Sequence, residues 1–137
     1  MRAYLIVLLG LLPAVVQAQT GGLDREADRA RRAWYSHDAA RLVANSPRLV
    51  LRLPGADPSG ALGQAQAAAL LRDFLSSTQE VETSIRSARE VEPGQGYVEL
   101  QRRYRVAGTQ EVRSQTLLLA YRWGAAGWTL VELRVSA

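Results

Sequence analysis

The sequence predicts an α+β domain, with N-terminal helices packed on an antiparallel sheet that ends in a four-stranded meander. Three observations carry that reading. Apolar residues recur at helical spacing in two early segments, around residues 23–35 and 62–76. Beyond residue 80 the apolar period falls to two, the signature of strands with one buried face. Short glycine turns, "EPGQG", "AGT" and "GAAG", divide that region into four runs.

The chain has 137 residues and opens "MRAYLIVLLGLLPAVVQAQT". Arg2 precedes an apolar run from Leu5 to Leu12, Pro13 follows, and Val16 and Ala18 hold the −3 and −1 positions of a cut. This is the layout of a secretory signal peptide over residues 1–18, cleaved after Ala18. A spanning helix wants about 20 apolar residues uninterrupted by proline, so no membrane span is expected after cleavage. With no cysteine in the chain there is no lipid-bearing thiol, disulfide or thiol chemistry. The expectation is a soluble periplasmic or secreted protein, not a lipoprotein, with residues 19–137 forming a single domain that stands on packing alone.

Its 17 basic residues are all arginine, against 13 acids, for a net charge of +4. Loss of Arg2 with the leader brings that near +3, a small excess. Nucleic-acid binders concentrate basic residues on one face. Here "DREADRARR" mixes both signs as a solvated helix face does, and strand alternation splits "RRYR" between two faces. Nucleic acid is therefore not an expected partner.

Along the chain, Leu23, Ala27, Ala30 and Trp34 form one stripe of a first helix, about Leu23 to Tyr35. Asp24, Glu26 and Asp28 early in it, and Arg31 and Arg32 late, suit the helix dipole. "SHDAARLVA" reads as a turn or short helix that Ser36 can cap. Pro47 ends it, and "RLVLRL" reads as a first strand. The loop "PGADPSGALG" is closed to strand by Pro54, Gly55, Pro58 and Gly60. It leads into the helix of residues 62–76, with Ala67, Leu70, Leu71 and Phe74 on its apolar face, which is expected to cross the sheet and close one side of the core. In the strands, Val81, Thr83, Ile85 and Ser87 share one side of the first. Val98, Leu100, Tyr104 and Val106 share one side of the second, interrupted by Arg102. In the last, Thr129, Val131, Leu133 and Val135 oppose Trp128, Leu130, Glu132 and Arg134, and either set is open to face inward.

The Trp34 helix, "SHDAARL", "GQAQAAALLRDFL" and the closing "GWTLVELRVS" resemble the nuclear transport factor 2-like superfamily, which includes ketosteroid isomerases and polyketide cyclases. More narrowly, Gln66-Ala67 eight residues before Phe74, "YRV" and the terminal "ELRV" are similar to a family of small exported bacterial domains of unknown function. The likeness covers about residues 24–135. It implies a cone-like fold with a curved sheet, a pocket between sheet and helices, and leaves open a homodimer through the outer sheet face. Structural motifs of this kind carry over fold better than function.

In such a pocket the candidate lining residues are Trp34, Arg102, Tyr104, Tyr121 and Glu132. Were Glu132 in an apolar wall, burial would raise its pKa and suit it to general-base work, with Arg102 steadying a developing negative charge. On a solvated face, Glu132 and Arg134 would do neither. His37, the only histidine, sits in a polar turn beside Asp38, and contiguous Ser-His-Asp is not a triad. One histidine and no cysteine give no metal set, "GQG" and "GAAG" lack the following helix of a phosphate loop, and no cofactor is expected. Trp34, Trp123 and Trp128, far apart in sequence, read as core or interface anchors. The sequence therefore favours an exported noncatalytic binding or scaffolding domain, holding a small apolar ligand or an envelope protein. The alternative is a small cavity-based hydrolase, isomerase or cyclase using Glu132 or Tyr104.

Overall fold

The structure, a computed structural model, describes residues 11–137, with side chains described from Gly21 onward. Residues 1–10 of the expected leader lie outside the described residues. Helix α1 spans Leu11–Tyr35, α2 Ala39–Leu42 and α3 Gln64–Leu75; strand β1 spans Val50–Arg52, β2 Thr78–Glu92, β3 Gln95–Val106, β4 Val112–Gly124 and β5 Gly127–Ser136. The strands form one curved sheet in the order β1-β5-β4-β3-β2. The expected four-stranded meander is present from β2 to β5. The sheet is mixed rather than wholly antiparallel, because β1 runs parallel to β5, pairing Val50 with Glu132 and Arg52 with Arg134. A long connection through α3 and three strands separates β1 from β5, which permits the parallel pairing.

The stripe expected on α1 is the buried one: Leu23, Ala27, Ala30 and Trp34 are at most 4% exposed, and Ala33 joins them. Its other side is solvated and laced by ion pairs. Arg29 reaches Glu26 at 3.2 Å, while Arg31 and Arg32 share Asp28. Hydrogen bonds from Arg32 and then Arg31 hold the Asp28 carboxyl below its ordinary value. It is α1, not α3, that lies across the sheet, packing on β2, β3 and β5. The alanines at 27, 30 and 33 let its backbone approach. Helix α3 instead closes the end of the core beside α2, buries Ala67, Ala68, Leu71 and Leu75, and leaves Leu70 exposed. Gln64 ties the two helices by donating to the Val43 and Ala44 carbonyls.

Two local devices set which residues face inward. At the end of α1, His37 N–H donates to the Trp34 carbonyl and Asp38 N–H to that of Ala33, the double closure of a Schellman motif. His37 holds the left-handed position there, φ 56°, where glycine is the usual occupant. Asp38 then caps α2 by accepting from Arg41 N–H.

The second device is a set of β-bulges, since an extra residue in one strand reverses its alternation. In β5, Ala120 pairs with Glu132 but Tyr121 with Leu130, leaving Val131 extra. The inward set is therefore Trp128 and Leu130, then Leu133 and Val135, a hybrid of the two expected faces. In β2, Glu80 pairs with Tyr104 but Glu82 with Arg103, leaving Val81 extra. Glu80 then joins Thr83 on the inner face; Ile85, in register with Leu100, is 39% exposed on this terminal strand.

Candidate functional site

Arg102 sits on β3 between Leu100 and Tyr104, in the middle of an otherwise apolar face, and is fully buried. A buried guanidinium must be paired and hydrogen-bonded, and the sheet register supplies the partners. Thr83 and Gln115 flank Arg102 on the neighbouring strands, and the Val81 bulge turns Glu80 inward beside them. The guanidinium binds both Glu80 oxygens, through Nη2 to Oε1 and through Nε to Oε2 at 3.3 Å. It also donates to Gln115 Oε1 at 3.1 Å and Thr78 Oγ1 at 3.0 Å. The ring of Tyr104 covers the guanidinium at 4.0 Å and that of Trp34 at 5.2 Å, both within cation–π range. Trp34 in turn meets Phe74 of α3, ring centroids 6.4 Å apart.

The Glu80 side chain is only 2% exposed. Besides Arg102 it accepts from Thr83 Oγ1 at 3.4 Å, and His37 Nε2 stands 3.1 Å from its Oε1. The His37 ring, 27% exposed, is the surface end of a chain that runs inward from His37 through Glu80 to Arg102. Sequence reasoning missed Glu80 and took His37 for an unattached turn residue. The detectable signal was Arg102 itself: a lone arginine on an apolar strand face demands a buried acid.

The five candidate lining residues do not form one pocket. Trp34, Arg102 and Tyr104 come together, but against one another. Tyr121 is buried on β4 opposite Gly96, six residues along β3 from Arg102, or roughly 20 Å away. Its hydroxyl is held well above the ordinary tyrosine value by burial, reinforced by the Glu26 carboxylate and opposed by Arg29, so it remains a neutral donor. For Glu132, whose facing the sequence left open, the structure gives the solvated reading. The Val131 bulge turns it to the outer sheet face, where it accepts from Arg52 Nε at 2.7 Å with Arg134 at 3.9 Å. It is a part-exposed ion-pair member, not a carboxyl in an apolar wall. Among the described residues no three His, Asp or Glu side chains gather as a metal set, and no helix is long and apolar enough to cross a membrane.

Chemically, the inner cluster is a closed one. The Glu80 carboxylate is committed to Arg102, Thr83 and His37, and the Tyr104 ring face to the guanidinium. No protein-family model matches the chain, and no curated protein matches it. Solved structures do. A ketosteroid isomerase-like protein from Erwinia carotovora atroseptica aligns over 86% of this chain and 95% of its own, with TM-score 0.71 and 16% identity. A cystatin-like domain of unknown function from Nostoc punctiforme covers 87% and 76%, with TM-score 0.68 and 16% identity. An LEH-like epoxide hydrolase from M. tuberculosis covers 85% and 82%, with TM-score 0.61 and 14% identity. At such identities the likeness is one of fold. The chain has the cone-like α+β fold of the nuclear transport factor 2-like, ketosteroid isomerase-like proteins.

Proposed function

We propose that the chain is an exported, noncatalytic binding or scaffolding domain that holds a ligand or an envelope partner rather than transforming it. The observation that carries the reading is the state of Arg102. Its guanidinium is sealed between Trp34 and Tyr104 and bonded to Glu80, Thr78 and Gln115. A substrate pocket in a fold of this kind needs open space of a few hundred Å³ around its polar groups. Around Arg102 the rings of Trp34 and Tyr104 and the side chains of Glu80, Thr78 and Gln115 take that space, and Glu132 is on the other side of the sheet. The fold neighbours include a domain of unknown function, a ketosteroid isomerase-like protein and an epoxide hydrolase, so fold alone favours neither class.

Export rests on the leader-like opening, and a homodimer through the outer sheet face fits within the same proposal. The test is native mass spectrometry of protein purified from its own envelope. A mass beginning at Gln19 with a retained ligand or partner supports the reading. Retention of residues 1–18 removes export, and a substrate turned over with loss of rate in Tyr104→Phe removes the noncatalytic assignment.

A further inference from the structure

We infer a binding site for a phosphate group in the cleft between α1 and α2, where Arg29, Arg32 and Arg41 meet above the buried hydroxyls of Ser46 and Tyr121. The inference rests on the binding reading above and names the ligand chemistry for it. Arg29, Arg32 and Arg41, with Ala44 as a small floor residue, line an open depression of about 540 Å³. Arg29 and Arg41 also line a neighbouring narrow cleft of about 10 Å³, with Glu26, Asn45, Ser46 and Tyr121 in its wall. The shared arginines set the two side by side, and in the inferred site the depression is the cationic rim and the small cleft its buried throat.

Two independent features point to a ligand. First, the rim has more positive charge than its own acids neutralise. Glu26 pairs with Arg29, and Asp28 divides itself between Arg31 and Arg32. The Arg41 guanidinium has no carboxylate partner among the described residues. Second, Ser46 is fully buried and its Oγ has no hydrogen-bond partner among the described residues. A buried hydroxyl left unpaired carries a desolvation cost that a ligand oxygen or an ordered water removes.

The throat holds one water or one ligand oxygen and nothing larger, so the charged group itself sits at the rim. Of the three guanidiniums that line the depression, Arg29 is engaged by Glu26 and Asn45 and Arg32 by Asp28. That leaves Arg41 as the fork free to grip an anion and the other two to add charge around it. Several donors around one anion with several acceptor oxygens is phosphate geometry. The neutral Tyr121 adds a donor rather than a competing charge, while the Glu26 carboxylate is already held by Arg29. The depression has room for more than a bare ion, so the phosphate is either a soluble compound's or a lipid headgroup's.

Calorimetric titration of inorganic phosphate into the purified protein tests the site. Saturable one-to-one binding is expected. Arg41→Ala should weaken it roughly tenfold, Arg41→Lys less, and Ser46→Ala severalfold. Arg103→Ala, an exposed arginine on the outer sheet face, should leave it unchanged. No saturation, an unaltered Arg41→Ala, or equal weakening by Arg103→Ala overturns the proposal. Cosedimentation with phosphatidylglycerol–phosphatidylcholine vesicles, lost in Arg41→Ala, supports the site with a lipid headgroup as its source. Phosphate binding without cosedimentation supports it with a soluble ligand. A native ligand or partner retained equally by wild type and Arg41→Ala overturns this site while the binding reading stands.

Discussion

His37 Nε2 stands 3.1 Å from Glu80 Oε1, so a turn residue at the end of α1 and a strand residue in β2 converge on one carboxylate. That carboxylate also receives Arg102, which makes Glu80 the joint between the helical layer and the inner sheet face. Ala33, Trp34, Ala39 and Leu42 already bury the α1–α2 corner, and the shared carboxylate adds a polar tie from it to the inner sheet face.

Glu80→Ala strips the sealed Arg102 of its counter-charge and should cost about 3–5 kcal/mol. The double variant Glu80→Leu/Arg102→Met removes both charges and should be more stable than Glu80→Ala, because no unpaired ion remains. Urea unfolding checks the order. A double variant less stable than Glu80→Ala would show that the pair supplies more than mutual neutralisation.

At His37 two effects oppose each other. Replacement by alanine loses the Glu80 contact and keeps a side chain in the left-handed region; replacement by glycine loses the contact but relieves the backbone. The His37→Gly variant should therefore be more stable than His37→Ala by about 1 kcal/mol, read from chemical denaturation of the two. Equal stabilities would mean that the corner relaxes when the ring is removed.

Gly96 on β3 lies directly against Leu23 of α1. A Cβ there would lie 2.8 Å from Leu23 Cδ2 and 3.3 Å from a ring atom of Trp128. Both neighbours are buried and cannot swing aside. Gly96→Ala should cost about 1–3 kcal/mol by overpacking, seen as a lower Tm with an unchanged far-ultraviolet spectrum.

Tyr121 sets an alkaline limit. Its folded pKa is raised above the ordinary value of 10.0. The stability it contributes is therefore fully present below pH 10 and is lost as pH rises further, once the unfolded chain ionises first. Between pH 9 and pH 11.5 the Tm of wild type should fall more than that of Tyr121→Phe. Parallel curves for the two would refute the role of this hydroxyl.

Much of the architecture was legible because periodicity reports burial directly. The stripe through Leu23, Ala27, Ala30 and Trp34 and the alternation through Val98, Leu100 and Tyr104 both hold. What periodicity cannot register is a single inserted residue. Val81 and Val131 each reverse a strand's facing, and with them went the inward place of Glu80 and the outward place of Glu132. The α3 face was displaced for another reason: its neighbours are α2 and Trp34 rather than a broad sheet, so Leu75 is buried and Leu70 is not. Arg102 was visible as an anomaly in an apolar run, but its partners arrive from residues 78, 80 and 115 through strand pairing. The pairing of His37 with Glu80 depends on a left-handed turn that a histidine does not announce.

The irregularities in β2 also bear on what the border of the sheet offers to another chain. In the sheet order β2 is terminal, with no strand beyond it, and its pairing with β3 shifts at three places, near Val81, Arg86 and Val91. A straight terminal strand presents evenly spaced amide groups on which another chain can extend the sheet. Three kinks in fifteen residues, with Glu82, Arg86, Arg89, Glu90 and Glu92 along them, deny that template. At the opposite end of the sheet, Ser59 exchanges hydrogen bonds with Leu51 and so occupies the free side of β1. Both borders are thus poorly suited to extension of the sheet by a strand from another chain.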